Sequence, residues 1–361
     1  MDRKDYIEPI NISSTKKILE QMINSICKIE VNNKKIGTGY FCKVNSMNFL
    51  MTSYYIIDEK YLKENKEINI LINNNENIKI DIRIQREIYF NKEYGITIIE
   101  LKDEDKIKNY YLELDDNIYK DNEYYKYKSI YILQYLNDKE IYVSYGYINE
   151  INNKKEIKYI CYTDNSSIGS PILNLKNNKI IGIVNNNYGI LLKYPLIDFK
   201  RKGYKIIKEL GHGGFGKVKK VINILDNKYY AIKEILLQNE SEITINNIKK
   251  ESNILSKFNC NNIVKYYDSY KDKDKYYIIM EYCDGKNLKD YIEEYKNEKN
   301  ESIEENIIYN IIKQICIGIK KIHEMKIVHR DLKPENIFIN KKMEIKIGDF
   351  GISKQLNIYT T

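Results

Sequence analysis

The pattern of apolar residues changes near residue 200, and this change separates two halves of different fold class within the 361 residues. From about residue 26 to residue 194, short β-branched and aromatic segments alternate with Asn, Asp, Lys and Gly, and few stretches have helical period. A basic, glycine-bearing joint, Lys200-Arg201-Lys202-Gly203, follows. We therefore expect an all-β domain over residues 1–200 and an α+β domain over residues 204–361, each long enough to bury its own core.

Most of the first half is predicted to form strands. The segments with the composition of strands and with turn residues between them are Gly39–Val44, Phe49–Ile57, Ile68–Ile72, Ile78–Ile84, Ile96–Leu101, Ile130–Tyr135, Ile141–Ile148, Ile157–Tyr162, Pro171–Leu175, Ile180–Val184 and Ile190–Tyr194. Roughly a dozen strands separated by turns favour a closed barrel or a pair of barrels over a small sandwich.

The second half begins with strands and continues with helices. The predicted strands are Tyr204–Leu210, Lys217–Leu225, Tyr229–Ile235, Ile263–Tyr270, Tyr276–Glu281, Ile337–Ile339 and Ile345–Ile347. The predicted helices are Ile243–Phe258, Leu288–Tyr295 and Ser302–Met325. Helices that gather after a sheet are typical of an α+β domain.

Charge and cysteine usage limit the classes of partner. The net charge is +8, and Lys alternates with Glu and Asp almost everywhere, whereas a nucleic-acid binder gathers its basic residues on one face, so we expect no nucleic-acid partner. The six cysteines stand singly, which argues against a zinc or dithiol site and for a reducing compartment. No stretch approaches the ~18 apolar residues that span a bilayer, and the first residues lack the apolar core of a signal peptide. We expect no membrane partner and a cytoplasmic or nuclear location.

A glycine-rich turn lies between the first two predicted strands of the second half. Its sequence is Gly211-His212-Gly213-Gly214-Phe215-Gly216-Lys217-Val218. Glycine lets backbone N–H groups approach phosphate oxygens because no Cβ intervenes, although plain hairpins use the same residues. The residues that we predict to line a phosphate-bearing ligand are Gly211, Gly213, Gly216 and Val218.

The next predicted strand contains Ala231-Ile232-Lys233, in which alternation places Ala231 and Lys233 on the face of the glycine turn. A lysine there can hold phosphates, and it needs an acid that orients it. Glu251 lies within the apolar stripe of the following helix, and an acid among core-facing positions requires a buried partner. We therefore predict that Glu251 pairs with Lys233, against the alternative of a surface glutamate.

Two further motifs supply polar side chains: His329-Arg330-Asp331-Leu332-Lys333-Pro334-Glu335-Asn336 and Asp349-Phe350-Gly351. Magnesium prefers hard oxygen ligands, which Asn336 and Asp349 offer. Asp331 can accept a proton from a substrate hydroxyl, and Lys333 can steady a transferring phosphoryl group. Since all these elements occur in order and at sensible intervals, the sequence predicts a phosphotransfer site.

Together, these motifs make residues 204–361 resemble the first part of a eukaryotic protein kinase domain. A lysine two residues after Asp331, here Lys333, resembles the pattern of Ser/Thr kinases rather than that of Tyr kinases. The segments Gly348–Lys354 and Ile254–Tyr267 resemble the NIMA-related branch of the Ser/Thr kinases. The resemblance implies ATP and Mg²⁺ as cofactors and a protein as substrate. It also implies a linker for adenine at Glu281-Tyr282-Cys283, with Met280 at the entrance to a back pocket.

The chain ends shortly after Gly351, before the Ala-Pro-Glu and the helices that complete this family's domain. We therefore expect a truncated copy or an incomplete gene model, with weak Mg-ATP binding at best and no phosphoryl transfer by these 361 residues. Thr360 or Thr361 is predicted as a regulatory phosphorylation site, with a plain polar tail as the alternative.

The first half loosely resembles trypsin-like serine proteases over about residues 25–198. The similar segments are Ile36–Phe41, Leu50–Ile57, Ser167–Pro171 and Ile180–Ile183. The resemblance places Tyr55, Gly95 and Ile168 at the histidine, aspartate and serine positions of the catalytic triad. Without a general base, the neighbouring serines do not become strong nucleophiles.

The resulting fold expectation is an all-β, trypsin-like double barrel followed by an α+β, protein-kinase-like fold with an N-lobe and the start of a C-lobe. The functional expectation is an ATP-dependent Ser/Thr protein kinase whose inactive protease-like domain recruits or regulates, with a peptide as that domain's partner. The alternative is a non-catalytic binding protein, made of a pseudoprotease joined to a kinase remnant.

Overall fold

The computed structural model of the protein describes residues 8–31, 35–73, 76–107, 110–136, 140–152, 155–213, 216–237, 242–299, 302–351 and 353–355. The chain divides into two compact units, Met1–Gly203 and Tyr204–Thr361. Throughout this described part, every helix is too short or too polar to cross a membrane.

The first unit is rich in strands. Its helices are α1 (Ile12–Asn24), α2 (Glu59–Glu64) and α3 (Lys193–Lys202). Its strands are β1 (Ile26–Val31), β2 (Lys35–Val44), β3 (Met47–Ser53), β4 (Glu67–Ile72), β5 (Glu76–Asp81), β6 (Ile88–Asn91), β7 (Ile96–Glu100), β8 (Leu112–Glu113), β9 (Ser129–Leu136), β10 (Glu140–Ile151), β11 (Glu156–Ile160), β12 (Pro171–Asn174), β13 (Lys179–Asn185) and β14 (Tyr188–Leu191).

These strands form two sheets. The second sheet is a closed barrel in the order β10-β11-β14-β13-β12-β9, so one barrel of the expected pair is present. The first sheet runs in the order β5-β4-β1-β2-β3-β7-β6, with β5 and β6 at its ends and β8 pairing with β2. Its core is made of buried aliphatic side chains from several strands, among them Ile29, Leu50, Ile70 and Ile99.

Some predicted boundaries in the first unit were wrong, each for a local reason. The strand predicted over Phe49–Ile57 ends at Ser53, because the Ser53 carbonyl accepts hydrogen bonds from the amides of Ile56 and Ile57 and so closes a turn. The strand predicted to run to Tyr194 stops at Leu191, where α3 follows, and Phe199 of α3 packs its ring on Phe49. The helices α1, α2 and α3 were not predicted.

The second unit begins with a sheet and continues with helices, as expected. Its strands are β15 (Tyr204–Gly213), β16 (Gly216–Asn223), β17 (Tyr229–Leu236), β18 (Tyr266–Asp272), β19 (Lys275–Glu281), β20 (Lys286–Asn287), β21 (Ile327–Val328), β22 (Ile337–Ile339), β23 (Ile345–Ile347) and β24 (Lys354–Gln355). Its helices are α4 (Glu242–Leu255), α5 (Leu288–Lys299) and α6 (Glu305–Glu324).

Three pairings position the site in this unit. The sheet order is β15-β16-β17-β19-β18, the strands β20, β22 and β23 form a second sheet, and β21 pairs with β24. Strand β18 starts at Tyr266 rather than at the predicted Ile263, because the amide of Val264 donates to the carbonyl of Ile347 on β23. Helix α4 ends at Leu255 and not at the predicted Phe258, since a tighter turn from Phe258 N to Leu255 O closes it.

Candidate active site

The glycine-rich turn is the hairpin between β15 and β16, in which Gly213 pairs with Gly216. Gly216 requires glycine, because its φ is 151° and a Cβ there would lie 2.3 Å from the carbonyl oxygen of Glu234. A Cβ on Gly211 would meet no atom within 4 Å, so this backbone borders open space. Residues 214 and 215 of the turn lie outside the described part of the chain.

The predicted nucleotide residues lie on neighbouring strands. Val218 of β16 is in register with Lys233 of β17, and Ala231 of β17 is in register with Met280 of β19. The sheet therefore places Val218 one strand spacing from Lys233, and Ala231 one strand spacing from Met280. Ala231 is 8% exposed, which leaves little room for a larger side chain.

Lys233 and Glu251 form a buried ion pair between β17 and α4. The ammonium nitrogen lies 2.8 Å from Oε1 and 2.9 Å from Oε2 of the carboxylate. Burial raises the pKa of Glu251, while the charge of Lys233 opposes this rise. The apolar stripe that includes Ile248 and Leu255 is buried, as predicted, and it carries Glu251 into the core.

Asp331, Lys333 and Asn336 are joined in one short loop. The Asn336 amide nitrogen donates to the backbone oxygen and to Oδ2 of Asp331, both at 2.9 Å. Lys333 Nζ lies 3.1 Å from Asp331 Oδ2, and this hydrogen bond lowers the pKa of Asp331. A carboxylate held ionised and aimed by an amide is suited to accept a proton.

Asp349 lies beside the buried ion pair. Its Oδ1 is 3.5 Å from Lys233 Nζ, and its φ of 58° is in the left-handed region. Phe350 follows, 1% exposed, with its ring centroid 4.7 Å from that of His329 and 5.2 Å from that of Phe258. The buried Phe350 ring therefore anchors the segment that presents the Asp349 carboxylate toward Lys233.

His329 is a site residue whose role the sequence reasoning did not identify. Its Nε2 is 3.0 Å from the Gly348 carbonyl oxygen, and its Nδ1 accepts the amide of Asp331 at 3.3 Å. This pattern requires a neutral ring with the proton on Nε2, and burial lowers the pKa of His329 accordingly. Its position directly before Arg330-Asp331 was the available signal.

The linker predicted for adenine is tied to β23 by a second pair that the sequence did not indicate. Lys346 Nζ lies 2.9 Å from Glu281 Oε1, and the amide of Lys265 donates to Glu281 Oε2. Lys346 is 9% exposed although it is charged. Cys283, two residues after Glu281, is half-buried, and desolvation raises its thiol pKa to about 12.

The donor set at Asn336 and Asp349 fits a hard divalent cation. The amide nitrogen of Asn336 is fixed on Asp331, which leaves its carbonyl oxygen as the atom that can ligate, and Asp349 offers a half-exposed carboxylate. Within the described ranges, no group of three or more His, Cys, Asp or Glu side chains is arranged around a common metal position. A cation here would thus need further oxygen ligands, such as phosphates or water.

In the first unit, the structure brings the three predicted triad positions close together in the fold. The amide of Tyr54 donates to the carbonyl of Gly95, and the turn after Ile168 reaches β3, since a Cβ on Gly169 would lie 3.1 Å from Ser53 N. The Tyr55 side chain is 39% exposed, and Ile168 packs on the apolar core. The predicted phosphorylation sites, Thr360 and Thr361, lie outside the described residues.

Comparisons with known proteins concern the second unit. The protein kinase domain family matches residues 204–361. Similar proteins include a probable serine/threonine-protein kinase nek2 of Dictyostelium discoideum, 40% identical over 159 residues that cover 43% of this chain and 38% of that protein. The serine/threonine-protein kinase Nek5 of Homo sapiens is 38% identical over 155 residues, which cover 43% of this chain and 22% of that protein.

Serine/threonine-protein kinase Nek1 of Mus musculus is 34% identical over 154 residues, covering 43% of this chain and 13% of that protein. The chain therefore spans well under half the length of these relatives. The matched segment contains the glycine hairpin, the Lys233–Glu251 pair and the loop from His329 to Asn336. The second unit of this chain thus matches the protein kinase domain family and is similar to serine/threonine-protein kinases.

Proposed function

We propose that the chain is an ATP- and Mg²⁺-dependent kinase that transfers the γ-phosphoryl group to Ser/Thr hydroxyls of proteins. The observation that carries this proposal is the joint position of Lys233, Glu251 and Asp349, in which one buried ammonium contacts two carboxylates on different elements. Such an arrangement is costly unless each charge has a partner or a ligand. The relatives named as Ser/Thr kinases support the same function for the matched unit.

The residues of this chain divide the work of phosphoryl transfer. The backbone of Gly211, Gly213 and Gly216 would hold phosphates, and Lys233, held by Glu251, would bind the α- and β-phosphates. Val218, Ala231, Met280, Glu281 and Cys283 would hold the adenine. Asn336 and Asp349 would hold magnesium, which would neutralise phosphate charge.

Asp331 accepts the proton of the attacking hydroxyl in this mechanism. Its pKa is lowered, so the carboxylate is ionised at neutral pH, and Asn336 fixes its orientation. Lys333 lies on the same carboxylate and steadies the transferring group. Positioning and electrostatic stabilisation then supply most of the rate enhancement, because phosphoryl transfer needs little covalent chemistry from the protein.

The test is transfer of labelled γ-phosphate from Mg-ATP to a library of Ser- and Thr-containing peptides by the full-length protein, including any segment encoded after Thr361. We expect labelled Ser and Thr but not Tyr. Asp349→Ala should abolish labelling, whereas Asp272→Ala, which alters an exposed acid on β18, should leave it unchanged. Label that persists in Asp349→Ala, or label on Tyr alone, would contradict the proposal.

We propose further that the first unit is a trypsin-like module without hydrolytic activity, which recruits or regulates by binding a peptide. In the turn before the predicted serine position, the donor groups already bond to a side chain of the same turn. Asp164 Oδ1 accepts hydrogen bonds from the amide of Ser166 at 2.8 Å, from the amide of Ser167 at 3.2 Å and from the Ser166 hydroxyl. Backbone amides at such a turn would otherwise stabilise an oxyanion. All three histidines of the chain lie in the second unit, so no histidine serves as base here.

Serine-directed fluorophosphonate probes test this second proposal. We expect no labelling of Ser166, Ser167 or Ser170 in the full chain, and stoichiometric labelling of any of these serines would contradict it. The six free cysteines support our expectation that both units work in a reducing compartment, the cytoplasm or the nucleus.

A further inference from the structure

A chain of four hydroxyl groups joins helix α4 to the hairpin of β18 and β19. The Ser252 hydroxyl on α4 is 2.9 Å from the hydroxyl of Tyr276, at the start of β19. The Tyr276 hydroxyl in turn donates to Ser269 Oγ at 3.0 Å, and the Tyr266 hydroxyl lies 2.8 Å from the same Ser269 oxygen. The one Ser252 proton goes either to Tyr276 or to the carbonyl of Lys249 in its own helix, and in the second case Tyr276 donates to Ser252 instead of Ser269.

This chain of hydroxyls is mostly shielded from water. Ser252 is 2% exposed and Tyr276 is 7% exposed. A buried hydroxyl that loses its partner cannot replace it with solvent, so the broken state is disfavoured by more than the net value of one hydrogen bond. The four groups therefore favour the single position of α4 in which Ser252 meets Tyr276.

Ser252 directly follows Glu251, the acid that holds Lys233. In a helix the two side chains point about 100° apart, so one rigid position of α4 must satisfy both the ion pair and the hydroxyl chain. A rotation or outward shift of α4 that parts Glu251 from Lys233 also parts Ser252 from Tyr276. The two contacts are thus coupled through the backbone of the helix.

We propose that Tyr276 and Ser252 are positioning residues, which hold α4 so that Glu251 stays on Lys233; the catalytic consequence rests on the proposed kinase function. The apolar contacts of α4, such as those of Ile248 and Leu255, favour burial but are not directional. Hydrogen bonds between hydroxyls require distance and angle, so they select one rotation of the helix.

Hydrogen–deuterium exchange of the full chain tests the positioning directly and needs no substrate. Tyr276→Phe removes one hydroxyl and keeps the ring, and Ser252→Ala removes its partner. For both variants we expect exchange of the α4 amides to become roughly fivefold faster, the factor that corresponds to one net hydrogen bond, with α6 unchanged. The matched controls are Tyr277→Phe, on the neighbouring residue of β19, and Ser256→Ala, whose hydroxyl donates to the nearby Asn253 carbonyl.

Kinetics separates positioning from general stability. Tyr276→Phe should lower kcat/KM for ATP about fivefold and leave KM for the peptide unchanged, and the double variant with Ser252→Ala should be no worse than either single one. In a Glu251→Gln background, Tyr276→Phe should have no further effect on kcat/KM, since the carboxylate that Tyr276 positions on Lys233 is absent. An additive effect in that background would overturn the inference.

The two proposals fail in different ways. Absence of phosphate transfer by the full-length wild-type protein, including any segment encoded after Thr361, would overturn the proposed function, while the exchange rates of α4 would still decide the positioning role. Unchanged α4 exchange in both hydroxyl variants, or an equal increase in α4 and α6, would overturn the positioning role even in an active kinase.

Discussion

The ammonium nitrogen of Lys233 lies within 3.5 Å of carboxylate oxygens from two different elements, Glu251 on α4 and Asp349 after β23. This relationship makes Lys233 the point at which the sheet, the helix and the metal-ligand segment meet. Its surroundings are buried, so its charge is poorly screened.

Lys233→Met should lower kcat/KM for ATP by about 10²–10³-fold, because it removes a charge-assisted contact to the phosphates. The variant should fold, since the unpaired Glu251 can take up a proton: burial already raises its pKa. Steady-state kinetics at varied ATP measures the effect, with the exposed Lys228→Met as control. Activity within tenfold of wild type would remove Lys233 from the phosphate site.

Lys333→Met should shift the acidic limb of the pH–rate profile to higher pH. The hydrogen bond from Lys333 is the largest cause of the lowered pKa of Asp331, so its loss raises that pKa. Asp331 acts as an ionised base, and activity then disappears at a higher pH than in wild type as the pH falls. The profile of kcat/KM between pH 3 and pH 8 reports the shift, and an unmoved acidic limb would contradict the assignment of Asp331.

The second unit should lose stability as the pH falls below about 6.5. The pKa of His329 is lowered by burial, so the unfolded chain binds this proton at a higher pH than the folded one. The stability that neutral His329 contributes is complete above the pKa that His329 has in the unfolded chain. It is lost as the pH falls through the lower pKa of His329 in the folded chain.

Urea unfolding at a series of pH values, followed by tyrosine fluorescence, measures this loss. His329→Phe, which keeps a ring against Phe350, should flatten the dependence between pH 5 and pH 7 while lowering stability at neutral pH. An equally steep dependence in the variant would assign the proton to another group.

Arg86→Met should destabilise the first unit by about 3–5 kcal/mol, because it leaves a carboxylate buried without its partner. The side chains of Arg86 and Asp105 are each 1% exposed, with nitrogen–oxygen distances of 2.8 Å and 3.0 Å. Chemical denaturation measures the loss. Adding Asp105→Leu should recover most of it, and Arg83→Met, at an exposed pair with Asp81, should barely move the midpoint. Equal effects of the two single arginine variants would contradict this account.

Several features of the site followed from local patterns. Asp331, Lys333 and Asn336 lie within one short loop, so their contacts depend on few backbone angles. The buried stripe of α4 predicted the partner of Lys233, because a charge among core-facing positions must be paired. The strands Ile337–Ile339 and Ile345–Ile347 were also predicted with their observed bounds.

Other boundaries depended on contacts that no local pattern contains. The apolar run Ile263–Tyr270 looks like one strand, but its first residues bond to β23 instead of continuing β18. Helix α1 was missed although the side chain of Asn11 caps it by accepting the amide of Ser14. Its buried Gln21 is satisfied by Asn178, in the turn before β13, and by Tyr131 of β9, which are distant in sequence.

The sequence by itself determined the motifs of the second unit, the pairing of Lys233 with Glu251 and the strand-rich character of the first unit. Only the tertiary structure decided that Lys346 pairs with Glu281, that His329 is a neutral link between Gly348 and Asp331, and that Tyr276 meets Ser252. The physical reason is that apolar periodicity and short motifs encode burial and local geometry, whereas a lysine or a hydroxyl can bond to any acceptor that the fold brings within about 3 Å.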